Sequence, residues 1–132
     1  NNAMINKIAA AAALAFIAAS VPAVAQDIAA GEKSFAKCRA CHQVGEKARN
    51  GVGPKLNGLF GRTAGSVEGY NYSAANKNSG IVWADDVFKE YIRKPAAKVP
   101  GTKMAFAGIN NDVEIVNLTA YLKQFDTDGK KK

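Results

Sequence analysis

At 132 residues the chain has room for one domain and no second core. Lysine and arginine total 18 against 11 acidic residues, a formal net charge of +7, which favours acidic proteins or anionic membrane as partners. Nucleic acid is the weakest candidate and no such partner is expected: the charges are scattered, and no helix-turn-helix, zinc-finger or RNA-binding signature occurs.

The first 25 residues read as a leader. Met4 is the natural start, with Asn1, Asn2 and Ala3 a scar ahead of it. One basic residue, Lys7, precedes an Ala-rich apolar run from Ile8 to Ile17, and Ala23-Val24-Ala25 supplies an A-x-A site, the order of a secretory signal peptide cleaved after Ala25. A retained membrane anchor is the rival, but Ser20 and Pro22 interrupt the run, which falls short of the ~20 apolar residues a spanning helix needs. Residues 26–132 are therefore expected to form the functional domain, exported to the periplasm and still basic, because the leader removes only Lys7 from the charge balance.

Asp27 is placed to cap a helix running to about Cys41, with Ile28, Gly31 and Phe35 on one face. Ser73 caps a turn or two through Asn78. Asp85 and Asp86 open a helix through Phe88, Tyr91 and Ile92, stopped by Pro95. Asn111 with Glu114 three residues on makes a capping box, followed by Ile115, Leu118, Leu122 and Phe125 at spacings of three and four. The Asp-Thr-Asp-Gly-Lys-Lys-Lys tail reads as frayed. Residues 45–72 and 95–108 read as loop, dense in Gly, Pro and Asn, and no run alternates well enough for a strand. The fold class is all-α with unusually long loops. Such loops are uncommon in a compact domain unless they serve a function, and a large apolar prosthetic group would give them something to bury.

Cys38-Arg39-Ala40-Cys41-His42 is the C-x-x-C-H sequence of covalent haem attachment. Cysteines three apart on a helix lie on one side, so each sulfur can form a thioether to a haem vinyl group while His42 points its imidazole at the iron. A structural zinc site needs four ligands, and the chain owns 2 Cys and one His. A disulfide is allowed in an exported protein but leaves His42 unexplained. His42 is the sole histidine, and once Met4 leaves with the leader Met104 is the sole methionine. Met104 lies in a Pro- and Gly-containing loop able to bring it over the haem. A His/Met pair raises the potential and fills both axial positions, which favours electron transfer over catalysis.

Beyond C-x-x-C-H the chain carries Gly-Pro at 53–54, Asn-Gly-Leu-Phe-Gly-Arg at 57–62 and Tyr-Ser-Ala-Ala-Asn-Lys at 72–77. Trp83, Tyr91, Pro-Gly-Thr-Lys-Met at 100–104, Phe-Ala-Gly at 106–108 and Leu-Thr-Ala-Tyr-Leu-Lys at 118–123 follow. In this order, over about Gly31 to Lys123, these motifs resemble the class I cytochrome c family, in its mitochondrial-type soluble form of bacterial origin. The resemblance implies N- and C-terminal helices that cross and long loops wrapped around one haem c, attached through Cys38 and Cys41. It implies that the Pro54 carbonyl accepts from the His42 ring, that Trp83, Tyr70 and Arg62 hold the haem propionates, and that Tyr91, Asn76 and Thr102 form a polar network behind Met104. Phe106 would flank the haem edge, and Gly31 and Phe35 would meet Tyr121 at the helix crossing. Phe35, Phe60 and Phe88 are otherwise ordinary core.

Two departures stand out. Only two residues separate Phe35 from Cys38, where mitochondrial members have one more, and Ala96, Ala97, Asn110 and Asn111 stand where those relatives carry lysines. The implied ring of docking lysines reduces to Lys33, Lys37, Lys55, Lys94, Lys98, Lys103 and Lys123. The partners implied are acidic docking faces of a quinol–cytochrome c oxidoreductase and of a terminal oxidase or photosynthetic reaction centre, met by a monomeric electron carrier that is not an enzyme. An enzyme-class rival, a peroxidase or small-gas sensor, needs Met104 displaced; a structural-class rival is a haem module tethered by its leader.

Overall fold

The structure, a computed structural model, describes residues 9–19 and 26–132. The expected start at Met4, Lys7 and the Ala23-Val24-Ala25 cleavage site lie outside the described residues. Residues 9–19 form no regular element and leave Leu14, Phe16 and Ile17 exposed. No helix among the described residues is long and apolar enough to cross a membrane.

Five helices follow in order: α1 (Ile28–Phe35), α2 (Ala74–Lys77), α3 (Asp85–Arg93), α4 (Pro95–Lys98) and α5 (Asp112–Lys123). The caps fall where side-chain chemistry puts them. Asp27 accepts from Ala30 N, Ser73 from Asn76 N and Asn111 from Glu114 N, each satisfying an amide that a helix start leaves without a partner. Among the described residues there is no strand, only two isolated bridges, Thr63 with Val82 and Phe125 with Lys131.

α1 and α5 cross and supply the centre of the core, with Phe35, Ile115, Leu118 and Leu122 almost fully buried. Each such side chain contributes roughly 1.5–3 kcal/mol by leaving water. The Phe35 and Tyr121 rings meet at 5.5 Å, as the family resemblance implied. Lys89 and Arg93 reach Asp112, which ties α3 to the start of α5.

Four expectations are corrected. α1 stops at Phe35 rather than near Cys41, because the amides of Ala36, Lys37 and Cys38 fold back three residues, to Lys33, Ser34 and Phe35, and tighten the chain into turns. Ile28 is largely exposed, and Ser34 joins Gly31 and Phe35 on the buried face. Residues 95–108 do not begin as loop: Pro95 starts α4, where its fixed φ and missing N–H suit a first helical position. The tail is docked rather than frayed. Asp126 N donates to Lys130 O and Lys132 N to Gln124 O, while Asp126 Oδ1 accepts from the amides of Asp128 and Lys130.

The capping box at Asn111 is half made. Its amide partner is Glu114 as expected, but the Glu114 carboxylate turns away to α1, accepting from Ser34 Oγ at 2.8 Å and Lys37 Nζ at 2.5 Å.

Candidate functional site: a haem-sized cavity between two sulfur-bearing walls

Three loops surround a cavity of about 350 Å³, floored by Leu59, Phe88, Ile92, Leu118 and Leu122. Loop 45–57 and loop 66–72 are tied together across its rim. Asn50 donates to Glu68 O and accepts from Lys55 N, and the Tyr70 hydroxyl donates to Val52 O at 2.6 Å. Antiparallel hydrogen bonds between 61–64 and 81–83 set Arg62 beside Trp83.

One wall carries Cys38, Cys41 and His42. The turn that brings the cysteines together is closed by Cys41 N donating to Cys38 O at 3.1 Å and His42 N to the same oxygen at 2.9 Å. Both thiols are free. Burial pushes the Cys38 thiol up to about 11, against the opposing pull of Lys37, so this position suits a neutral sulfur, thiol or thioether, better than a thiolate. His42 Nδ1 lies 2.7 Å from Pro54 O. A carbonyl only accepts, so Nδ1 carries the proton and Nε2 keeps a lone pair. Burial lowers the His42 pKa, the Pro54 bond opposes this, and Arg62 adds to the lowering; the ring is a neutral imidazole, the form that binds metal. The residue before Pro54 has to be Gly53, since a β-carbon there would stand 2.3 Å from His42 Cε1.

The loop after α4 brings Met104 to the same cavity. The Tyr91 hydroxyl donates to Met104 Sδ at 2.9 Å, and Met104 N donates to Thr102 Oγ1 at 3.2 Å. Burial pushes the Tyr91 phenol up to about 12, which keeps it a neutral donor. Tyr91 packs on Trp83 with ring centroids 4.8 Å apart.

All the residues named from sequence — Cys38, Cys41, His42, Pro54, Arg62, Tyr70, Asn76, Trp83, Tyr91, Thr102, Met104 and Phe106 — line this one cavity. Their mutual bonds differ in part from expectation. Asn76 does not bond to Tyr91 or Thr102; its Oδ1 is buried without a partner. Tyr72 was missed. Its hydroxyl accepts from Val67 N, it lines the cavity, and it is the ionisable neighbour that Arg62 feels. The signal was present, because Tyr72 opens the Tyr-Ser-Ala-Ala-Asn-Lys motif.

The donor set fits haem. Arg62 spends one nitrogen on Lys55 O and Asn57 O, its Nε is buried and unpartnered, and among the described residues no carboxylate pairs with it. Burial lowers its pKa, the mark of a desolvated cation lacking its anion. An apolar ring with acidic side chains supplies what the apolar floor and the orphan Arg62 Nε lack: an apolar body and an anionic acceptor.

The chain matches the family model described as cytochrome c over residues 28–126. It is 59% identical over 117 residues to cytochrome c2 of Blastochloris viridis, covering 88% of this chain and 92% of that protein. Against cytochrome c-550 of Nitrobacter winogradskyi it is 62% identical over 106 residues, 80% of this chain and 97% of the other. Among solved structures it resembles cytochrome cH from Methylobacterium extorquens, with a TM-score of 0.70 and 46% identity over 74% of this chain and 98% of that one. The chain therefore belongs to the class I cytochrome c family, as an all-α electron carrier whose single haem c is bound covalently through Cys38 and Cys41.

Proposed function

We propose that residues 26–132, exported to the periplasm after cleavage at Ala25, act as a monomeric one-electron shuttle with His42 and Met104 as the two iron ligands. The observation that supports this reading is that both proposed ligand side chains are held by protein groups beside one cavity. Pro54 O orients the His42 ring, and the Tyr91 hydroxyl orients Met104 Sδ. The haem, when bound, supplies the one-electron iron couple. Around it, the apolar floor of Leu59, Ile92, Leu118 and Leu122 keeps water out and so keeps reorganisation small. Arg62, Trp83, Tyr70 and Tyr72 would hold the propionates, and the Asn76 amide lies on the same wall.

Members of this family shuttle electrons between membrane complexes. For this chain the donor and acceptor we infer are a quinol–cytochrome c oxidoreductase and a terminal oxidase or photosynthetic reaction centre, each met through an acidic face. Of the implied lysines, Lys37, Lys98 and Lys123 pair with Glu114, Glu90 and Asp85. Lys33, Lys55, Lys94 and Lys103 have no acidic partner among the described residues, Lys103 donating only to Asn71 O, so these four carry most of the steering charge. Attraction of this kind raises the encounter rate and is screened by salt.

The test is a visible spectrum of protein matured in an exporting host, oxidised and reduced, with carbon monoxide added to the reduced form. A low-spin spectrum indifferent to the gas is expected if His42 and Met104 both hold the iron, since no position would then be open to the gas. A spectrum that shifts would show an open iron and move the reading to a gas sensor or peroxidase. The transfer rate to an acidic partner should fall as salt is raised; a rate independent of salt would remove the electrostatic part.

A further inference from the structure

Residues 127–132 lie past the stretch that the family model covers, yet they close a hairpin against the body of the protein. We propose that this C-terminal hairpin is a positioning element for His42, acting through the loop that carries Pro54; the proposal rests on the reading of His42 as an iron ligand. Loop 45–57 leaves the chain just after His42, and its two ends are closed by one side chain. Asn57 Oδ1 accepts from Gly45 N at 2.9 Å, and Asn57 Nδ2 donates to Gly45 O at 2.9 Å. Inside this clamp, Leu56 N donates to Gln43 O at 3.0 Å and Gly53 N to Cys41 O at 2.8 Å, which presents Pro54 O to the His42 ring.

The hairpin is packed on the outside of the clamp. Gly129 is buried with φ +79, and a β-carbon on it would stand 2.0 Å from Gly45 O and 2.7 Å from Asn57 Nδ2. Thr127 packs against Gly58, whose amide donates to Phe125 O at 3.1 Å. Asp126 shapes the turn from within, through the amides of Asp128 and Lys130. No residue of the hairpin lines the cavity. Its influence on the haem side therefore passes through the clamp and the loop, to Pro54 and then His42.

The test uses the haem-loaded, full-length protein beside two variants, Gly129→Val and a chain ending at Asp126. NMR follows hydrogen exchange at the amides of Gly45, Gly53 and Leu56, and both the exchange and the paramagnetic shift of the His42 Nδ1 proton in the oxidised protein. In both variants these four protons should exchange at least about tenfold faster, because the loop opens locally, while the α5 amide of Ile115 keeps its wild-type rate. The His42 proton shift should move as well. Unchanged exchange at Gly45, Leu56 and the His42 ring would overturn the proposal. Equal acceleration at Ile115 would also overturn it, since the hairpin would then serve general stability alone. A wild-type His42 ring proton with no paramagnetic shift would instead overturn the ligand reading, and Gly45 and Leu56 would still report on the clamp.

Discussion

Gly31 of α1 lies flat against Asn117 of α5, so close that a β-carbon on Gly31 would stand 2.0 Å from the Asn117 carbonyl oxygen. The same absent atom would meet Tyr121 Cβ at 2.8 Å. The crossing of the two helices depends on that missing group.

Gly31→Ala sets two effects against each other. Alanine favours a helix over glycine by about 1 kcal/mol, but overpacking against a backbone atom costs roughly 1–3 kcal/mol or more because the helices must separate. The clash is with main chain and has no flexible side chain to yield. A net loss of about 2 kcal/mol is expected, read as a lower denaturant midpoint of the haem-loaded protein.

Glu114 gives the same crossing an acid limit. The hydrogen bond from Lys37, and after it that from Ser34, holds its carboxyl below the ordinary value of 4.5. A depressed carboxylate stabilises the fold fully above its unfolded pKa and loses that contribution as pH falls through the lowered folded value. Lys37 is half exposed, so the effect should stay under about 1 kcal/mol. Comparing wild type with Glu114→Gln at pH 7 and at pH 3 should show the gap between them closing at the lower pH.

Tyr91→Phe keeps the ring against Trp83 and removes the donor to Met104 Sδ. A hydrogen bond to the sulfur draws electron density from it and disfavours the ferric state, so its loss should lower the reduction potential. One hydrogen bond of about 1 kcal/mol corresponds to roughly 40 mV for a one-electron couple. Potentiometric titration of the two proteins checks both sign and size.

Arg62→Gln should lower the potential as well, because removing a buried cation favours the more positively charged ferric state. Arg62→Lys keeps the charge and loses the planar guanidinium, one nitrogen of which donates to both Lys55 O and Asn57 O. It should therefore hold the potential nearer wild type while lowering stability. Redox titration and thermal unfolding of the pair separate charge from geometry.

Replacing both Cys38 and Cys41 with alanine, to leave the chain without attached haem, should leave it largely unfolded. An empty apolar cavity costs about 24 cal/mol per Å³, so 350 Å³ amounts to roughly 8 kcal/mol. That rivals the whole stability of a domain, about 5–15 kcal/mol. Far-UV circular dichroism with little helical signal is the expected result.

Features that need only a few neighbouring residues are legible in the order of the amino acids. Asp27, Ser73 and Asn111 cap helices because each side chain reaches an amide three residues on. The C-x-x-C-H run, a single histidine and a single methionine outside the expected leader sufficed to nominate the haem and its ligands, because residues 26–132 contain no competing residues of those types. Tertiary structure decided what depends on loops closing around the cavity. It turned Glu114 from its own helix start to Ser34, 80 residues away, and brought the Tyr91 hydroxyl to Met104 Sδ. It left the Asn76 amide facing a gap, put Tyr72 beside Arg62, and docked a tail that reads as polar and loose. Local pattern fixes where an amide finds its first partner. Which distant group a side chain meets depends on how three loops pack around a ring that only the folded chain can enclose.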